Sequence, residues 1–180
     1  MLFTSIDYFI FLFFVLILYY LFPYKFRKYL LIVASLYFYA YVKISYTILL
    51  LTLIFFNYLL GIKISNTSTL FNKKILMRLA VVINLLILVY YKYLNFLLDS
   101  FLYLFNINIT STVTTSVLLP LGLSFYTFQN IGYILDIYRG SQKPERNIFN
   151  YALFVIFFPK LLVGPIERAK NLLHQISDGM

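Results

Sequence analysis

The chain has 180 residues, of which 62% are hydrophobic, 21% aromatic and 12% charged, and its mean hydropathy is +0.87. Ordinary soluble domains are about 45–50% apolar and about 25% charged, and one core of this size cannot hide so much apolar surface. Soluble enzymes, disordered tails and nucleic-acid modules are thereby excluded, and lipid is the expected solvent. Fifteen Lys/Arg against six Asp/Glu give a net charge of +9. These cations stand between apolar runs, where they report membrane topology rather than a nucleic-acid surface. No cysteine, one histidine and scattered acids offer no disulfide, thiolate or metal cluster.

A transmembrane helix needs about 20 apolar residues, with about 17 as the lower end. Residues 5–22 supply a first span, closed by Pro23 and followed by Lys25, Arg27 and Lys28. With no basic region before it and no small-residue cleavage site after it, this run is a span rather than a signal peptide. Residues 29–42 and 45–61 make the next two, separated by Lys43; residues 62–74 are a polar loop carrying Lys63, Lys73 and Lys74. A fourth span covers 75–91, with Arg78 near its start and able to snorkel. Residues 93–105 are too short to span and contain Asp99, so they are expected as an interfacial helix, and 106–116 as an uncharged loop. The fifth span is 117–138 and the loop after it 139–147.

Beyond Asn147 the pattern changes. The apolar run 148–158 stops at Pro159 and Lys160. Eleven helical residues rise only about 16 Å, roughly half of a hydrocarbon core. Gly164–Pro165 and the charged Glu167, Arg168 and Lys170 follow, so 148–165 is expected to be a re-entrant or broken element entering from the cytoplasm. The fold class expected is all-α: one polytopic membrane segment over 1–180. Lys and Arg concentrate after the first span, in 62–78 and in 139–147, which puts those loops in the cytoplasm and Met1 outside.

The fifth span carries the most polar face. Gly122, Tyr126, Gln129, Tyr133 and Asp136 recur at steps of four and three residues, which is one helical stripe. Polar groups at membrane depth line cavities or join helices. The stripe is therefore either the wall of a substrate path or interhelical glue, with Gly122 permitting close approach. Asp136 stands three residues before Arg139, a spacing that suits a local ion pair. His174 lies in a polar-flanked tail and reads as a surface histidine. No hydrolase elbow, phosphate loop or zinc helix is present.

The stretches LPLGLSFYTFQNIGYILDIYRG at 119–140 and YALFVIFFPKLLVGPIERAKNLLHQ at 151–175 resemble the membrane-bound O-acyltransferase family. The resemblance is to the bacterial branch containing alginate O-acetyltransferases and teichoic-acid D-alanyl transfer proteins. It extends upstream to LYFYAY at 36–41 and YKYLNFLLDS at 91–100.

The resemblance implies a multi-helix enzyme of the bacterial inner membrane, moving an acyl group, expected here to be acetyl, from a cytoplasmic donor to a hydroxyl of an exported polysaccharide. Implied partners are acetyl-CoA or an acylated carrier protein, a polysaccharide or teichoic-acid-like acceptor, membrane lipid and a further acyltransferase outside the membrane; no cofactor, metal or nucleic acid is implied. The family's buried general-base histidine is expected beyond Met180, so the chain is expected to be an N-terminal portion, inactive alone. Tyr126, Gln129, Tyr133, Asp136, Pro159, Gly164, Pro165 and Arg168 are the candidates for the wall of the family's central funnel. A lipid or polymer translocator subunit and an inactive membrane scaffold are the rival classes.

Overall fold

The structure is a computed structural model that describes residues 6–105 and 120–160, together with Ala169, Leu173 and Ile176. The described residues are all-α. Six helices follow one another: α1 (Ile6–Leu21), α2 (Tyr24–Val42), α3 (Ile44–Asn66), α4 (Leu70–Leu104), α5 (Leu123–Arg139) and α6 (Ile148–Ile156). The first four pack on their neighbours in chain order; α5 lies across α3 and α4, and α6 is enclosed by α2, α3 and α5. α3 is thus the central post, packing against α2, α4, α5 and α6.

Large apolar side chains cover the outside, among them Phe9, Phe13, Val33, Ile48, Phe55 and Leu86. That surface suits a hydrocarbon solvent and would be untenable in water. α3 and α4 are each long and apolar enough to cross a membrane; α1 is equally apolar but has 16 residues. The molecule is a membrane protein built from α-helices.

Helix ends and polarity changes do not coincide. The stretch 62–74, expected to be a loop, is mostly helix: α3 continues to Asn66 and α4 begins at Leu70. Only Thr67, Ser68 and Thr69 lie between them. Likewise 75–91 and 93–105 are one continuous helix rather than a span and a separate interfacial piece. Lys92, Asn95 and Asp99 change what surrounds the helix, not its backbone, because none of them breaks helical hydrogen bonding. Between α2 and α3 the chain turns on Lys43 alone, in an extended conformation (φ −168°, ψ 123°).

Two glycines fix α5. Gly122 precedes it at φ 69° and Gly140 ends it at φ 75°, left-handed values that other residues adopt at a cost. Gly122 therefore serves the turn into the helix and not the close helix contact expected of it. The close contact belongs to Gly61 of α3, where an added Cβ would lie 2.9 Å from Cε1 of Tyr133.

Candidate functional site: a broken helix in a polar cradle

α6 begins in an ordinary way. The Asn147 side chain caps it by accepting from the Phe149 N–H at 2.9 Å, one of the donors that a helix start leaves unpaired. Six of its nine residues are buried, Tyr151, Leu153 and Phe154 completely so, while Phe149 near its start is exposed. A helix this deep cannot leave its polar groups open, and the neighbouring helices supply them. Tyr151 donates its hydroxyl to Oδ1 of Asn130 on α5 at 2.8 Å. Lys28 of α2 donates Nζ to Oδ1 of Asn150 at 3.2 Å.

The far end of α6 is where the cradle is most specific. The last helical bond runs from the Phe157 N–H to the Leu153 carbonyl at 3.1 Å. The next would join Phe158 N–H to the Phe154 carbonyl. Instead Gln129 of α5 donates Nε2 to the Phe154 carbonyl at 2.6 Å, and the Phe158 N–H goes to Oγ of Ser35 on α2 at 3.3 Å. Two side chains from two helices have taken the two halves of one backbone bond. Phe157 leaves the helix at ψ 105°, and Lys160 N–H closes the turn on the Phe157 carbonyl at 3.0 Å. Phe158 is pinned there by aromatic rings: those of Phe11 and Phe38 lie 5.4 and 5.9 Å from its own, centroid to centroid.

α5 presents the polar face. Tyr126, Gln129 and Tyr133 are all buried on it. The Tyr133 hydroxyl accepts from the Glu145 N–H at 3.0 Å and its ring lies tilted against that of Tyr151, 4.6 Å between centroids. Tyr39 of α2 donates its hydroxyl to the Leu121 carbonyl, just before α5. Asp136 is half-buried and acts locally. Its carbonyl accepts from the Ser141 and Gln142 N–H groups, and its carboxylate meets the Ser141 hydroxyl at 3.4 Å. That arrangement replaces the expected Asp136–Arg139 ion pair, since Gly140 turns the chain and brings Ser141 back to the carboxylate. Pro159 stands exposed at the turn. Gly164, Pro165, Arg168 and His174 lie outside the described residues.

Several members of the cradle were not singled out from the sequence. Ser35, Asn150 and Tyr151 look like ordinary helix residues until the partner helix is known. A second such group is the buried pair Asn57 and Asn84, which exchange amide hydrogen bonds between α3 and α4 at 3.2 and 2.8 Å. On the flank near Ser65, Lys143, Glu145 and Arg146 line an open cleft. Among the described residues no group of acids or histidines could hold a metal ion. Chemically the cradle can orient a chain or a polar ligand.

No family model and no solved structure matches the chain. Curated proteins do. The chain is 40% identical to the probable alginate O-acetylase AlgI of Azotobacter vinelandii, over 96% of its own length and 36% of that protein's. It is 32% identical to the peptidoglycan O-acetyltransferase of Helicobacter pylori, over 85% of its length and 33% of the other's. The teichoic acid D-alanyltransferase of Lacticaseibacillus rhamnosus is 39% identical across 56 residues, 31% of this chain and 14% of that one. The chain spans about a third of the length of the first two relatives. Over the stretch it shares with them, this chain is similar to proteins of the membrane-bound O-acyltransferase family.

Proposed function

We propose that the protein of which these residues form part is a membrane O-acyltransferase that moves an acyl group, acetyl in the first instance, from a cytoplasmic donor to a hydroxyl of an exported polysaccharide. The observation that carries this reading is the match, over nearly the whole chain, to alginate O-acetylases, joined by a peptidoglycan O-acetyltransferase. The geometry adds support of its own kind: a short, largely enclosed helix with a buried polar face beside it suits a path for a polar substrate. In this reading the spans are 5–22, 29–42, 45–61, 75–91 and 117–138, the N-terminus is outside and the element at 148–165 enters from the cytoplasm. The candidate path residues are Tyr126, Gln129, Tyr133, Pro159, Gly164, Pro165 and Arg168; Asp136 shapes the loop beyond. The general base on the acceptor hydroxyl is a histidine outside these 180 residues.

The test is reconstitution of the intact protein in vesicles with an acetyl thioester on one face and a polysaccharide on the other. Ester-linked acetate on the polysaccharide is expected. A polysaccharide that crosses the bilayer unmodified would contradict the reading and favour a translocator.

A further inference from the structure

The end of α6 does not follow from Pro159 alone. A proline removes its own N–H, and its ring restricts the residue before it to extended conformations. Here those effects fall on Phe158 and on the bond that residue 159 would have given to Val155. Phe157 is free of them. With Phe157 helical, the Phe158 N–H would still reach the Phe154 carbonyl. Yet Phe157 is the residue that leaves the helix, at ψ 105°, and the bond it forfeits is the one divided between Ser35 and Gln129. Both side chains are buried, Ser35 completely, so water does not substitute for either.

We propose that Ser35 and Gln129 are positioning residues that hold this one backbone bond of α6 open and so fix the turn at Phe157–Lys160 one residue earlier than Pro159 requires. The alternative state is α6 lengthened through Phe157, with the Phe154–Phe158 bond closed. That state rotates the following chain by about 100°, one residue of helix at 3.6 residues per turn, and withdraws the Phe158 ring from Phe11 and Phe38. The importance of the turn for acyl transfer rests on the function proposed above; the held-open bond itself does not.

The experiment uses the intact protein in lipid nanodiscs, with the Phe158 amide followed by hydrogen exchange and acetyl transfer followed in parallel. Ser35→Ala leaves the Phe158 N–H without its acceptor while Gln129 still occupies the Phe154 carbonyl, so exchange at Phe158 should quicken tenfold or more. Adding Gln129→Leu to Ser35→Ala frees that carbonyl, the bond closes, and protection should return. Transfer should not return with it: misplacing a substrate-facing segment by about 1 Å can cost on the order of 100-fold in rate, and the turn is now displaced. Thr52→Ala is the control, because that hydroxyl bonds only within its own helix, to the Ile48 carbonyl; it should change neither readout. Unchanged exchange at Phe158 in Ser35→Ala overturns the proposal, and so does a double variant that exchanges as fast as the single one. Recovery of full transfer in the double variant would show that the turn's position is irrelevant. If protection follows the expected pattern in a protein that transfers no acyl group, the held-open bond stands and the proposed function falls.

Discussion

Replacing Asn57 by Leu tests the polar joint between α3 and α4. The two carboxamides are buried, at 0% and 1% exposure, and fully used. Each gives one N–H across the interface, at 3.2 and 2.8 Å, and one back to its own helix, to the Leu53 and Ala80 carbonyls at 2.9 and 2.8 Å. Asn57→Leu keeps the volume close and deletes both bonds across the interface. Interhelical hydrogen bonds in membranes average about 0.6 kcal/mol each and reach about 1.7, so the direct loss is about 1–3 kcal/mol. Asn84 is also left with an open N–H and carbonyl, and a buried orphan of that kind costs about 1–3 kcal/mol. A destabilisation of about 2–6 kcal/mol is expected for either single variant. In Asn57→Leu/Asn84→Leu both orphans are gone, and the loss should shrink to about 1 kcal/mol, because replacing both partners by apolar groups of like shape is nearly neutral. Reversible unfolding in mixed bicelles provides the cycle. Additivity of the two single variants within about 0.5 kcal/mol, the behaviour of independent sites, would refute the coupling.

Gly61→Ala places a methyl 2.9 Å from Tyr133 Cε1 and 3.1 Å from Ile137 Cδ1; an overpacking loss of about 1–3 kcal/mol is expected in the same unfolding assay. Tyr151→Phe leaves Asn130 Oδ1 without its donor and should cost about 1–2 kcal/mol, whereas Tyr29→Phe, at an exposed ring edge, should be neutral. Gly140→Ala forces φ 75° on a residue with a Cβ and should lower stability by about 1–2 kcal/mol. For topology, cysteines at Ser65 and Ser141 should resist an impermeant thiol reagent in whole cells while one at Thr112 reacts; the opposite pattern reverses the orientation.

The membrane class and the buried face of α5 were legible in the sequence because both depend on properties summed along the chain. Hydropathy averages over many residues, and the 3.6-residue period puts Tyr126, Gln129 and Tyr133 on one side of a helix whatever lies opposite. Pairings between helices were not legible. Asn57 and Asn84 are 27 residues apart, and Ser35 and Phe158 are 123 apart; periodicity gives the face of each residue but not the helix it meets. Helix ends were misplaced for a related reason. Lys63, Ser65, Lys92 and Asp99 mark a change of solvent, and a helix passes through such a change without interruption. Gly122 drew attention as a small residue at helical spacing, but φ 69° shows that it serves the turn before α5. The Pro120–Leu121–Gly122 turn signal is local and could have been weighed there; the role of Gly61 depends on Tyr133, 72 positions away, and could not.

The most direct measurement of the central claim is the acetate content of the host's exported polysaccharides, by proton NMR before and after mild alkali. Deleting the gene should remove alkali-labile acetate, and restoring the intact gene should return it; a copy in which the family's buried histidine is replaced by alanine should not. Unchanged acetate on deletion in a host that lacks a second such gene, or full recovery with the histidine replaced, would contradict the assignment to acyl transfer.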